Sequence, residues 1–255
     1  MKRLLIPFSI VSILFLSCTS NSKKEGNPNA KVSEPIQATM SSEPKTIEIS
    51  MYPELSQYIE SVLAGIDAIP NDRKDQLKKI ALYVQTKKKS NEPANLTFIC
   101  THNSRRSHLS QIWAATAAAY YGVEEGVHTY SGGTEATAFN PRAVAAIERA
   151  GFRVNHTKGD NPRYKVSFSE NGEEVECFSK KYDDAFNASE NFAAIMTCSE
   201  ADKSCPFIPG ASLRVPIPYV DPKEADGTEQ EAAVYDERTK QIATEMFYMM
   251  SQVKV

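Results

Sequence analysis

The apolar, partly β-branched run Leu96-Thr97-Phe98-Ile99 passes without a break into Cys100-Thr101-His102-Asn103-Ser104-Arg105-Arg106-Ser107, and that octet passes directly into a helical stretch over about 107–121. Continuous apolar residues that end at polar turn-formers and then a helix suit a buried parallel strand. With no linker between strand and helix, the amides of residues 101–105 must curl around the helix N-terminus. Unpaired N–H groups and the helix dipole favour an anion there. Arg106 can add two parallel charge-assisted bonds to tetrahedral oxygens. The same positive field favours thiolate over thiol at Cys100, which makes it a nucleophile aimed at the centre of a bound anion. Ser107 is positioned to hydrogen-bond that sulfur, and Asn103 tolerates the left-handed backbone that a tight cradle needs. The bland alternative is a buried cysteine beside an exposed arginine.

The rest of the pattern extends this junction into an α/β fold. Residues 127–130 read as a second strand, followed by a turn at Ser131-Gly132-Gly133. Residues 141–150 read as a helix with Gly151 as its C-cap. Residues 193–197 and 213–217 supply a third and a fourth strand, and 228–250 a closing helix carrying Ala232, Ile242, Ala243, Met246 and Met250. Strands alternating with helices imply a parallel sheet covered on both faces. Upstream, Leu55, Ile59, Val62, Leu63 and Ile66 recur at helical spacing. Pro70-Asn71-Asp72 then opens a second helix, with Leu77, Ile80, Ala81 and Val84 on one face. These two helices read as a packing addition without chemistry. A polar insert over 160–191 centres on a hairpin at Asn171-Gly172, a pair suited to a two-residue type I′ turn. That register pairs Phe168 with Val175 and Val166 with Cys177, all on one face, so Cys177 reads as a small buried hydrophobe.

The first residues bear on the compartment. Lys2-Arg3 precede an apolar stretch, Leu4 to Leu16, too short for a membrane span, which needs about 20 residues, but suited to the core of a secretory signal. Phe15-Leu16-Ser17-Cys18 resembles a bacterial lipobox, which implies lipidation of Cys18; a signal cleaved after Ser17 is the alternative. The expected organisation is a signal segment over 1–18, a flexible linker over 19–45, a helical extension over 46–94 and a catalytic domain over 95–255. The expected location is the cell envelope of a bacterium, exported and lipid-anchored, facing the periplasm or the surface. Net charge is -3 with both signs interspersed, which excludes the clustered basic footprint of a nucleic-acid binder. Lys87-Lys88-Lys89 reads as a solvated helix end.

The octet resembles the signature loop of the low-molecular-weight protein tyrosine phosphatase superfamily, Cys-x-Gly-Asn-x-x-Arg-Ser, with Cys100, Asn103, Arg106 and Ser107 on matching positions. Ser131-Gly132-Gly133-Thr134, Asn140-Pro141-Arg142-Ala143-Val144 and Asp221-Pro222 extend the likeness over about 95–250. The resemblance implies a four-stranded parallel sheet flanked by helices, an oxyanion cradle formed by Thr101, His102, Asn103, Ser104, Arg105, Arg106 and Ser107, and Asp221 as general acid toward a leaving oxygen. Two positions depart from the pattern. His102 replaces the glycine, and Arg105 stands where many phosphatases carry a second cysteine; there Arg105 is expected to raise the anion affinity of the mouth. His102 and His108 are candidates for tuning charge near Cys100, although surface histidines seldom do so.

Cys198-Ser-Glu-Ala-Asp-Lys-Ser-Cys205-Pro206 is similar to the paired-cysteine segment of thioredoxin-coupled arsenate reductases, a branch of the same superfamily. The resemblance implies Cys100 as nucleophile, Cys198 as first resolving thiol and Cys205 as second, with no tightly bound cofactor and an external, thioredoxin-like thiol donor. The intervening segment must then melt or loop out, since a disulfide needs Cα atoms about 4.4–6.8 Å apart. The competing reading is a phosphatase acting on a phosphomonoester or phosphoprotein, with Cys198 and Cys205 in a structural disulfide or an unusual metal site. A non-catalytic oxyanion-binding module is a third. An exported reductase is out of reach of cytosolic thioredoxin and needs another donor, whereas a phosphatase needs none.

Overall fold

The computed structural model describes residues 50–254. The expected signal segment with Cys18 and the expected linker over 19–45 lie outside the described residues.

Seven strands and six α-helices follow in the order α1 (Pro53–Leu63), α2 (Asn71–Lys89), β1 (Ala94–Cys100), α3 (Arg106–Tyr120), β2 (Val127–Gly133), α4 (Pro141–Arg149), β3 (Arg153–His156), β4 (Tyr164–Ser167), β5 (Val175–Cys177), β6 (Phe192–Met196), α5 (Ser199–Ser204), β7 (Ala211–Pro216) and α6 (Glu231–Ser251). The main sheet is parallel, ordered β2-β1-β6-β7. β1 is central and buried at every position but Asn95, as a strand covered on both sides must be.

Alternation along β1 and β6 divides the core in two. Leu96, Phe98, Ala193 and Ile195 enter the large cluster formed with Leu109, Ile112 and Trp113 of α3 and Ile242, Met246 and Phe247 of α6. Ile99, Cys100, Ala194, Met196 and Cys198 enter a smaller cluster with Ala201 of α5 and Ile208. The nucleophile candidate and the first resolving candidate therefore share the lightly covered face.

The two added helices belong to the large cluster through Leu55, Ile59, Val62, Leu77, Ile80, Ala81 and Val84, the apolar positions read from periodicity. Trp113, fully buried, joins them to the rest: its ring lies 5.6 Å from Tyr58 of α1, 4.8 Å from Phe152 and 6.2 Å from Phe247. Gly151, with φ +101°, follows the C-cap Ala150, and a Cβ there would meet Leu55 N at 2.4 Å. One glycine thus ends α4 and admits the start of α1.

Two expectations are corrected. The hairpin register is displaced by two residues: Val166 pairs with Val175 and Tyr164 with Cys177, leaving a longer loop around Asn171-Gly172. Neither loop residue has the positive φ a type I′ turn requires; Ser169 Oγ instead accepts from Gly172 N at 2.8 Å. A two-residue shift preserves the face, so Tyr164, Val166, Phe168, Val175 and Cys177 are all buried as alternation demands. The hairpin also gains a third strand, β3, which the polar Arg153-Val154-Asn155-His156 did not reveal. Second, Ser131-Gly132-Gly133 is strand, not turn, in register with Phe98, Ile99 and Cys100. A Cβ at Gly132 would lie 2.3 Å from Tyr182 Cα and one at Gly133 2.6 Å from Thr101 O, so these glycines mark close backbone approach.

Leu55→Ala is expected to cost about 2–5 kcal/mol in denaturant unfolding while leaving a single transition, the cost of a core cavity. A cost below about 1 kcal/mol would mean that α1 does not share the core.

Candidate active site

β1 delivers Cys100 at its C-terminal end, and α3 starts at Arg106. Between them the backbone turns its carbonyls outward. Cys100 O accepts from Thr134 N at 3.1 Å, Thr101 O from Glu135 N at 2.8 Å, Ser104 O from Asn140 N at 2.9 Å and Arg105 O from Leu109 N at 3.0 Å. His102 O accepts from the hydroxyls of Ser179 and Thr137, at 3.1 and 3.2 Å. Among the described residues, none of the amides of residues 101–105 donates to a protein acceptor. The result is a bowl of main-chain donors above the N-terminus of α3, the arrangement that stabilises an anion.

Asn103 holds the bowl's shape. Its φ is +44°, the left-handed conformation expected of it. Its Nδ2 donates to Ser107 Oγ at 2.9 Å and its Oδ1 accepts from Lys180 N at 2.9 Å. Ser107 Oγ lies 3.1 Å from Cys100 Sγ, close enough to donate to a thiolate. Cys100 is almost fully buried, so a reacting atom must come to it through the bowl.

Arg106, also buried, donates Nη1 to Tyr219 O at 2.9 Å and Nη2 to Asp221 Oδ2 at 2.7 Å, with Glu200 Oε2 3.9 Å from Nη1. Asp221 Oδ1 accepts from Lys223 N at 3.1 Å. Thr101, His102, Arg106, Ser199, Glu200, Tyr219, Val220, Asp221 and Glu224 line a cavity of about 600 Å³. Arg106 and Asp221 therefore stand together at one open mouth.

Arg105 does not face that mouth. Its Nε donates to Tyr235 OH at 2.7 Å and its Nη2 to Asp226 Oδ2 at 3.1 Å, so its side chain fastens the loop to α6 rather than adding charge to the cavity. His108 is not a surface residue. It is fully buried, with Nδ1 3.0 Å from Ser131 Oγ, and burial, aided by the charge of Lys180, pushes its pKa well below the usual imidazole value. His102 is half-exposed, with Nε2 3.6 Å from Glu135.

Among the described residues, the remaining thiols, Cys177, Cys198 and Cys205, are free. Cys198 caps α5: its Sγ accepts from Ala201 N at 3.3 Å and lies 3.4 Å from Thr101 Oγ1. Cys205 is the half-buried C-cap of the same helix, so no disulfide joins the pair. Among the described residues there is no cluster of three or more His, Cys, Asp or Glu placed to hold a metal ion. Cys177 is the inert thiol it was expected to be: fully buried, with its pKa pushed up to about 12 by burial.

Sequence reasoning missed Lys180. Its N–H supports Asn103, its carbonyl accepts from Gly133 N at 2.9 Å, and its buried Nζ sits 4.3 Å from the Phe178 ring centroid. No local motif marks it, because its place depends on the insert folding back against β2.

Residues 95–164 match the family described as low molecular weight phosphotyrosine protein phosphatase. An arsenate reductase of Bacillus licheniformis is 30% identical over 56% of this chain and 84% of its own. One of Halalkalibacterium halodurans is 30% identical over 58% and 91%. Among solved structures, a YwlE mutant from Bacillus subtilis aligns at 13% identity over 64% of this chain and 99% of that one, with TM-score 0.41. The chain belongs to the low-molecular-weight protein tyrosine phosphatase superfamily, and the curated relatives it matches carry the name arsenate reductase. It is an enzyme that uses a cysteine nucleophile on a tetrahedral oxyanion.

Burial lowers the Lys180 pKa from 10.5 to about 8, so the folded state binds fewer protons than the unfolded one between those values. Stability from this group accordingly rises with pH across that window and is lost as pH falls. Lys180→Met is expected to gain on the order of 3 kcal/mol relative to wild type at pH 7 compared with pH 10.5, as followed by urea melts. A pH-independent difference would show that Lys180 is not charged at the cost of burial.

Proposed function

We propose that the chain is an arsenate reductase that passes two electrons through Cys100, Cys198 and Cys205. The observation carrying this reading is that three free thiols, Cys100, Cys198 and Cys205, belong to or pack against one cluster. Cys100 and Cys198 share a buried cluster, Cys198 touches Thr101, and Cys205 waits half-exposed at the other end of α5. Relatives matched over 84% and 91% of their own length carry the name arsenate reductase, which supports the substrate class.

In the proposed sequence, Cys100 thiolate attacks arsenic, and an As–O bond breaks as Asp221 protonates the leaving oxygen. The cradle amides and Arg106 hold the other oxygens. Cys198 thiolate then attacks Cys100 Sγ. The S–As electron pair stays on arsenic, As(V) becomes As(III), and arsenite leaves from a Cys100–Cys198 disulfide. Cys205 thiolate attacks Cys198 and releases Cys100, and an external dithiol reduces the Cys198–Cys205 disulfide. No tightly bound cofactor enters.

The last exchange requires α5 to unwind. Seven helical steps separate the two Cα atoms by roughly 10 Å, beyond disulfide reach. Arg214 of β7 restrains the helix through Asp202 O at 2.7 Å, Asp202 Oδ1 at 2.6 Å and Cys205 O at 3.2 Å, contacts that must break on unwinding.

A second reading, phosphomonoester hydrolysis through a cysteinyl-phosphate, needs only Cys100, Arg106 and Asp221. The open cavity of about 600 Å³ favours it, being larger than an inorganic anion requires. We also infer export and lipidation at Cys18, from Lys2-Arg3, the apolar stretch and the lipobox-like Leu16-Ser17-Cys18. The thiol donor is then an envelope protein or small thiol rather than cytosolic thioredoxin.

Purified protein offered arsenate and an aryl phosphate, with and without dithiothreitol, tests both chemistries. Cys100→Ser is expected to abolish both. Cys198→Ser or Cys205→Ser is expected to stop multiple-turnover arsenite production and spare ester cleavage; undiminished arsenite production would eliminate the relay. Metabolic labelling with a fatty acid is expected to mark the full chain and not Cys18→Ala, and equal labelling of both would remove the anchor.

A further inference from the structure

The helical extension, read from sequence as packing alone, reaches the active site through one side chain. Arg73 of α2 donates Nη2 to Pro218 O at 2.6 Å, its guanidinium carbon lies 5.3 Å from the Tyr219 ring centroid, and its Nε is 3.5 Å from Glu245 Oε1 of α6. Glu245 is itself buried and accepts from Tyr219 OH at 2.8 Å. Arg73 thus grips Pro218-Tyr219 at the backbone, the ring and, through Glu245, the phenol.

The next two links lie in the cavity. Tyr219 O accepts from Arg106 Nη1, and Asp221, two residues on, accepts from Arg106 Nη2. The backbone explains why an outside group is needed. Past the end of β7, Ile217 N donates to Met196 O at 2.9 Å and Tyr219 N to Thr197 O at 3.0 Å, which continues the pairing with β6. Extended backbone alternates its direction, so Pro218 directs its carbonyl away from β6, on the open side of an edge strand. Proline supplies no N–H, and among the described residues the carbonyl has Arg73 alone to hold it.

We infer that Arg73 is a positioning residue: it sets the Pro218–Asp221 segment so that Asp221 meets the leaving oxygen and Tyr219 O orients Arg106. This rests on the reading of Asp221 as general acid. It makes α2, which lies outside the matched residues 95–164, a working part of the site. A planar guanidinium that bonds, pairs and stacks at once has no substitute in lysine, which offers a single point charge.

The test uses the full chain with Arg73→Met, Arg73→Lys, Asp221→Asn and the Arg73→Met/Asp221→Asn double variant. The substrates are phenyl phosphate, with a poor leaving group, and 2,4-dinitrophenyl phosphate, with a good one. Arg73→Met is expected to lower kcat on phenyl phosphate roughly 10–100-fold, the scale of a misplacement of about 1 Å, with much less effect on the dinitrophenyl ester. The loss should shrink to less than about twofold in the Asp221→Asn background, because the acid being positioned is gone. Arg73→Lys should fall between wild type and Arg73→Met with a Tm near wild type, which covers the case in which Arg73→Met folds poorly.

Equal losses on both esters, or the same loss with and without the Asp221 carboxylate, would overturn the assignment. Amide exchange over residues 217–223 supplies a readout free of turnover. Faster exchange in Arg73→Lys is expected, and unchanged exchange would overturn the assignment even if no ester is cleaved. Failure of wild type on every substrate, or an Asp221→Asn variant as fast as wild type, would instead refute the function on which the inference rests.

Discussion

Everything at this site depends on a reversal of peptide direction between Cys100 and Arg106. Amides can be free for an anion only if the carbonyls of the same peptides are satisfied elsewhere, since buried polar groups without partners are costly. Thr134, Glu135, Thr137, Asn140 and Ser179 take those carbonyls, and they come from the segments that follow β2 and β5. The glycines at 132 and 133 let these segments close in, and Asn103 accepts the left-handed turn while tying the bowl to Ser107 and Lys180. The insert over 160–191, although polar and outside the sheet, is therefore part of what keeps the loop open to an anion.

The same loop relates the two chemistries of the superfamily. In the proposed function, attack by Cys100, the amide cradle, Arg106 and a proton for the leaving oxygen serve arsenate and phosphate esters alike, because both are tetrahedral oxyanions. The difference lies in what can reach the Cys100 sulfur after attack. Cys198 lies just past the end of β6, next to the strand that carries Cys100, and is held as the cap of a six-residue helix. That placement uses the lightly covered face of the sheet, where no long helix has to move.

Much of the fold was legible because its signals are local. The apolar run before Cys100, the spacing of Leu77, Ile80, Ala81 and Val84, and Pro141 after Asn140 each mark an element within a few residues. The hairpin face was legible for the same reason, whereas its register was not. A shift of two residues leaves every side chain on its face, so alternation cannot tell the two registers apart; the observed one comes with a longer loop in which Gly172 N donates to Ser169 Oγ. Ser131-Gly132-Gly133 misled because glycine marks a turn and a close approach alike.

At the site, the residue types and their order along the chain determined the nucleophile candidate, the cradle and the arginine, because strand, loop and helix N-terminus are consecutive and their chemistry follows from that adjacency. Only the tertiary structure decided the direction of Arg105, the burial of His108, the support given by Lys180 and the hold of Arg73 on Pro218 and Tyr219. Each of those depends on which distant segment packs alongside, and packing partners separated by many residues leave no spacing in the sequence from which to read them.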